Sequence, residues 1–207
     1  MTATATQTTA RSLQQIAPNV TSRVKDGDLA TAQMGLIGVG AVLALAGYFF
    51  DKHGHLSYLV GYMGVLGIVL CALFFTMIQH ITRAGWSVSV RRLAENMTGT
   101  LPFFLLLFIP LIISFGDIYS HWSHSWNLEP GADGYDAIVA GKSSYLNPTF
   151  FFVRVGIYFA IWIGLATFFR KNSIKQDESG DPALSMKMSR VAAPGLVLFA
   201  LSITFAA

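Results

Sequence analysis

Five apolar runs, each near the length of a bilayer core, constrain this chain more than any other feature. They are 34–50, 56–78, 98–115, 149–169 and 191–207. A hydrocarbon layer about 30 Å thick takes roughly 20 helical residues, because each adds about 1.5 Å and every backbone N–H and C=O must be satisfied within the segment. A soluble fold could not absorb such runs. Hydrophobic residues make up 53% of the 207 and charged ones 12%, too little polar surface to coat a globule. The period-two alternation of membrane strands is absent. The expected fold is all-α: a multi-pass transmembrane bundle of four complete helices, with the fifth run read as a helix cut short. Val191 to Ala207 ends with no glycine cap, basic flank or aromatic anchor, which makes the chain an N-terminal portion of a longer protein on this reading. Residues 1–31, rich in Thr, Ala, Gln and Ser, form a polar tail ahead of a transmembrane domain at 32–207, and they lack the apolar core and cleavage site of a secretory signal.

Positive charge sets the expected orientation. With the N-terminus in the cytoplasm, eleven of the 14 Lys and Arg residues fall inside: Arg11, Arg23 and Lys25 in the tail, Arg83, Arg91 and Arg92 after the second run, and Arg170, Lys171, Lys175, Lys187 and Arg190 after the fourth. Only Lys52 and Lys142 fall outside, and Arg154 lies within a run. This is the bias that cytoplasmic loops carry. The basic composition therefore reports topology, and no nucleic-acid partner is expected, because no basic stripe is interleaved with stacking aromatics.

The residue inventory narrows the chemistry. No Cys-x-x-Cys-His or cysteine cluster is present to hold covalent haem or iron and sulfur, and the single Cys71 reads as a small buried apolar residue. The five histidines, His53, His55, His80, His121 and His124, lie at helix ends or in loops, where they do not face one another as membrane haem ligands do. No glycine-rich loop cradles a phosphate. No covalently bound cofactor and no metal site is expected, so redox centres near this chain belong to partner subunits or to diffusible carriers. Small residues in the first two runs, among them Gly35, Gly38, Gly61 and Gly64, are read as helix-packing surfaces, and Pro110 predicts a kink in the third.

Two segments carry more than hydropathy. The first follows the second run: His80-Ile-Thr82-Arg83-Ala84-Gly85-Trp86-Ser87, then Arg91-Arg92 and Glu95. Its spacing suits a short interfacial helix, Trp86 at headgroup level and the guanidinium groups toward lipid phosphate. The second is Lys142-x-x-Tyr145-Leu146-Asn147-x-x-Phe150-Phe151-x-x-Arg154, continued by Tyr158-Phe159-x-x-Trp162, in which Asn147-Pro148 is a helix start.

Together these segments, two separated motifs in order across residues 34–207, resemble the second quinone-binding-type membrane subunit of bacterial alternative complex III. That subunit belongs to the polysulfide-reductase-like (NrfD-like) membrane proteins. The resemblance implies about ten helices in two bundles. It also implies a place in a quinol:cytochrome c oxidoreductase of the bacterial inner membrane. Quinol is oxidised in the membrane, and electrons pass to iron-sulfur and haem c subunits on the outer side. The family has two related membrane subunits, and the other copy is the better candidate for the quinol site. This copy would then serve as anchor, quinol-side architecture and proton path, without a redox centre of its own. A secondary transporter and a purely structural scaffold are the alternative readings. A transporter would need a broken or charged helix at the membrane midplane, and here the only full charge inside a run is Arg154.

Three sets of residues are singled out. His80, with Arg83 and Glu95, offers either a proton relay or quinone-side set near neutral pH, or a histidine in simple headgroup contact. Arg154 lies six residues beyond Pro148, about 9 Å into its helix at 1.5 Å per residue. It either snorkels to the headgroups or turns inward to form an intramembrane ion pair, with Asp117 as first candidate. The long loop from Gly116 to Asn147, with His121, Trp122, His124 and Trp126, reads as an aromatic belt and a docking surface for outer subunits, in preference to a metal site.

Overall fold

A computed structural model describes residues 26–50, 53–126 and 128–206, and these are helical without strands. The helices are α1 (Asp26–Phe50), α2 (Gly54–Thr82), α3 (Val88–Thr98), α4 (Leu101–Leu107), α5 (Ile109–Ile113), α6 (Phe115–Ile118), α7 (Ser120–Ser123), α8 (Ala137–Gly141), α9 (Pro148–Ser179) and α10 (Pro182–Ala206). The chain divides into two compact units, one holding α1 and the other running from His55 onward. Of the expected tail, 1–25 lies outside the described residues, and the rest belongs to α1.

Four stretches are long and apolar enough to cross a membrane: Gly54–Thr82, Val90–Ile113, Pro148–Ser179 and Pro182–Ala206. The molecule is an all-α, multi-pass membrane protein. The number of complete crossings is the expected one, but its membership differs. Starting at Pro182 rather than 191, α10 is itself long enough to cross, whereas the apolar part of α1, Met34–Phe49, is shorter.

Burial in the second unit is inverted relative to a soluble protein. Val60, Ile68, Phe103, Ile113, Val153 and Val197 are exposed, as lipid-facing residues should be, while Thr76, Gln79, His80, Glu95, Ser173 and Ser202 are buried. Lipid is as apolar as leucine, so the interior is selected for close packing and hydrogen bonding rather than for hydrophobicity alone. The buried faces follow helical period: Tyr62, Leu66, Leu70, Leu73 and Met77 on α2, Phe159, Trp162, Ala166 and Phe169 on α9, and Met188, Ala192, Gly195 and Phe199 on α10. Cys71 lies on the exposed side of α2 rather than in the interior. Within this unit the tightest glycine is Gly195, where an added Cβ would come within 2.9 Å of Leu165 Cδ2.

The crossing Val90–Ile113 is broken where Pro110 predicts. Proline lacks an N–H, so the carbonyl four residues back loses its helical donor, and the ring crowds it. The helix is re-set at Phe108, whose carbonyl accepts from Leu111 N and Ile112 N at 3.0 and 3.1 Å. That re-setting frees the carbonyl of Leu107. The phenol of Tyr58 on α2 donates to it at 2.7 Å, and Tyr62 donates to the Phe104 carbonyl at 3.1 Å. A broken membrane helix is tolerated when neighbours satisfy the freed backbone in this way.

At the basic end of the unit, α9 outruns the bilayer. Its 32 residues span about 48 Å. Asn147 caps its start by accepting from Phe150 N at 2.8 Å, and Gly180, with φ 64°, closes its end in the left-handed conformation. The segment expected as a basic loop, Arg170 to Arg190, is therefore the projecting tip of an α9–α10 helical hairpin.

Candidate functional site

The first motif folds into a buried charge cluster at the basic end. Ending α2 requires a sharp turn, and Arg83 makes it at φ 51°, a conformation L-residues avoid. Ala84 N then returns to the Gln79 carbonyl at 3.2 Å, and Ser87, at the start of α3, donates to Gln79 Oε1 at 2.6 Å. This tie lays α3 across the tip of α2 with its charged face turned into the bundle. Glu95 is 1% exposed. Its Oε1 lies 3.6 Å from His80 Nε2 and 3.4 Å from Arg91 Nε, and its Oε2 lies 3.4 Å from the Arg92 guanidinium. Arg92 also reaches Asp177 on α9. Buried Ser173 of α9 adds a hydroxyl to the carboxylate's surroundings, and Phe169 stacks on the imidazole with ring centroids 5.2 Å apart.

Charge in this cluster balances. Glu95 and Asp177 offset Arg91 and Arg92, so an isolated buried charge, which would be very costly, is avoided. Yet the contacts of Glu95 are long, 3.4 to 3.6 Å, and neither His80 Nε2 nor either Glu95 oxygen makes a hydrogen bond of good geometry. A carboxylate beside an imidazole in that state can accept one proton onto the histidine as a buried ion pair and release it again. A cavity of about 440 Å³ leads to the imidazole, walled by Gln79, Arg83, Arg91, Gln176 and Ser185.

Of the first expected set, His80 and Glu95 are brought together. Arg83 is not part of the pair: its guanidinium lies 3.6 Å from Met186 Sδ, on the cavity wall. The expected placement of Arg91 and Arg92 toward lipid phosphate is also corrected, because both turn inward to Glu95. Their partnership was legible in the i, i+4 and i, i+3 spacing to that residue, but Ser173 and Asp177, some 80 residues on, carry no local signal. Trp86 is 81% exposed, as an interfacial tryptophan should be.

The second motif folds at the opposite end. Arg154 makes no ion pair with Asp117. Among the described residues no carboxylate lies within 4.0 Å of the guanidinium, and Asp117 is exposed. The turn before α9 instead folds Tyr145 back over the arginine. The guanidinium carbon sits 3.8 Å from the Tyr145 ring centroid and 5.1 Å from that of Phe150, and NH2 donates to the Tyr145 carbonyl at 3.5 Å. Ring faces and a carbonyl replace the expected anion, since an aromatic face attracts a cation without bringing a second charge into the membrane. Farther along the same face, Trp162 Nε1 donates to buried Ser202 Oγ on α10 at 2.8 Å. Arg154, Tyr62, Tyr119, Tyr158 and Trp162 line an otherwise apolar cavity of about 270 Å³. Burial pushes the Tyr119 phenol above its ordinary range, so it stays a neutral donor there.

The expected long loop contains the short helices α6, α7 and α8. Asp136 caps α8 through Ile138 N and Val139 N at 2.8 and 3.3 Å, and His121 Nε2 stands 3.5 Å from its other oxygen. Trp122 packs into a cluster with Phe115, Tyr119 and Phe151. No group of three or more metal-ligating side chains occurs among the described residues. No family model matches this chain, and no curated protein is detectably similar to it.

Proposed function

We propose that this chain is a membrane subunit of a quinol:electron-acceptor oxidoreductase complex of the alternative complex III type. In this role it anchors the assembly in the bacterial inner membrane and exchanges protons at its basic, cytoplasmic end, while partner subunits carry iron-sulfur and haem c centres. Quinol, the neighbouring membrane subunits and lipid are its partners. The observation that carries the reading is the buried His80–Glu95 pair at 3.6 Å, set against Arg91 and Arg92 and reached from a cavity at the basic end. A merely interfacial histidine would stand in water beside the headgroups; this one is 4% exposed and faces a carboxylate.

The proton step asks little of the chain. Protonating His80 places a cation beside Glu95 in a low-dielectric site, where the carboxylate stabilises it, and the cavity gives the proton a route to the basic face. The motif residues Ser87, Arg91 and Arg92 hold α3, and with it Glu95, in place. Replacing His80 by Ala in the assembled complex and following quinol oxidation over roughly pH 6 to 8 tests the reading. We expect slowed turnover with an altered pH profile, and Glu95→Gln should act in the same direction. Unchanged turnover across the range would remove the pair from the mechanism. A transporter is less well supported, because neither Glu95 nor Arg154 lies mid-membrane on its crossing.

A further inference from the structure

A third depression lies where α3 ends and α4 begins, against the flank of α9. Its lower walls are apolar, formed by Pro102, Ile163 and Ala166, and its rim carries Arg170 and Lys171, with a volume of about 170 Å³. Gly99 shapes it. As the C-cap of α3 it has no side chain, and the Arg170 side chain lies across it: an added Cβ would stand 3.4 Å from Nε and 3.5 Å from Cδ. The two rim cations differ from those of the buried cluster. Arg91 and Arg92 are matched by carboxylates, whereas among the described residues neither Arg170 nor Lys171 has one within 4.0 Å. The groove also straddles a boundary in the chain, since Arg170 is the first charged residue after the apolar run of α9.

We propose that this groove binds one anionic glycerophospholipid. The phosphodiester would sit between Arg170, whose planar fork suits two phosphate oxygens, and the Lys171 ammonium, while an acyl chain follows Ile163 and Ala166 toward the membrane interior. Charge complementarity selects the lipid. A zwitterionic headgroup brings its own cation toward Lys171, whereas an anionic one meets the two cations without adding a third. Free phosphate meets the same two cations but gains nothing from the apolar walls.

The full chain in detergent, titrated with phosphatidylglycerol, phosphatidylcholine or inorganic phosphate and read by native mass spectrometry, tests this. We expect phosphatidylglycerol to be retained in preference to phosphatidylcholine, with inorganic phosphate failing to displace it. R170Q/K171Q should weaken its binding about 30-fold at roughly 0.15 M salt, each basic residue near an anionic lipid contributing roughly a fivefold factor. The control K175Q/K187Q removes the same charge from outside the groove and should change binding by less than about threefold, as expected of screened surface charge. Thr167 lines the groove from an exposed position. T167W therefore fills the groove while keeping both cations, and should also weaken binding; it carries the test if the double variant does not fold. Equal retention of the two lipids, displacement by inorganic phosphate, equal losses in the double variant and the control, or wild-type binding by T167W would each overturn the proposal.

Discussion

The two ends of the bundle face the same difficulty, fixed charge close to hydrocarbon, and meet it differently. At the basic end Glu95 is buried with two arginines and a histidine, a network in which each member offsets another. At the other end Arg154 stands alone among rings, its charge spread over the faces of Tyr145 and Phe150. A network of opposite charges can gain and lose a proton at constant packing. A cation on aromatic faces has no group to exchange with, because arginine keeps its proton at any accessible pH. One end is suited to chemistry and the other to fixing a helix start in the membrane.

Removing the anion tests the first half of that contrast and should have the largest effect. Glu95→Ala leaves Arg91 without an acid and Arg92 with Asp177 alone, and we expect a loss of about 2–3 kcal/mol, that of charge-assisted contacts to a buried carboxylate. Thermal unfolding of the detergent-solubilised protein measures it, and a loss no greater than that of Arg154→Ala would erase the distinction between the ends. Between them, Trp162→Phe removes the donor to Ser202 and should cost about 1–2 kcal/mol in the same assay. An unchanged midpoint would mean that this bond does not tie α9 to α10. Arg83 offers a change of opposite sign. Glycine adopts its φ of 51° without the roughly 1 kcal/mol penalty of an L-residue, so Arg83→Gly should raise the melting temperature. A lower one would mean that the guanidinium contributes more than its backbone costs. The smallest effects belong to the aromatic end. Arg154→Lys keeps the charge but loses the planar stacking, for about 0.5–1 kcal/mol, and Asp117→Asn should fall within the roughly 0.5 kcal/mol scatter of surface changes. A larger response at Asp117 would restore the ion pair.

Much of the fold was legible because apolar length is a local property. The crossings at α2 and α9, the presence of a helix at α10 and the break at Pro110 could all be read within windows of about 20 residues. Helix ends were less legible. Hydropathy marks where a helix leaves lipid, and α9 continues as a helix for ten residues past Phe169 because nothing before Gly180 stops it. For the site, the pairing of His80 with Glu95 was within reach of the sequence, since both flank one short turn. The inward rotation of α3 was not. A short helix carrying Arg91, Arg92 and Glu95 just after Trp86 reads as lying on a membrane surface. Only α9, with Ser173 and Asp177, turns the charged face into an interior one. Arg154 went astray for a related reason: an arginine in a membrane run suggests an acid, and the nearby Tyr145, outside the helix, gave no sign that it would fold back. Packing glycines were sought in the first two runs, yet an added Cβ at Gly35, Gly38, Gly61 or Gly64 would meet nothing within 4 Å, and in the second unit the closest approach is at Gly195, where the α10 backbone meets the Leu165 side chain.

The contact between Arg92 and Asp177 also sets a clock for biosynthesis. The two residues are 85 apart in the chain. At a synthesis rate of about 5–20 residues per second, α3 is made roughly 4–17 seconds before its partner on α9 exists. Throughout that interval the nascent protein holds two arginines and a glutamate at the threshold of a hydrophobic segment, with only His80 and each other for company. The segment can enter the bilayer at once, but its charged start must wait at the interface until α9 arrives. Insertion of the crossing Val90–Ile113 and docking of α3 are therefore separate events, and an insertion factor or chaperone acting here would meet a helix already anchored at one end and still loose at the other.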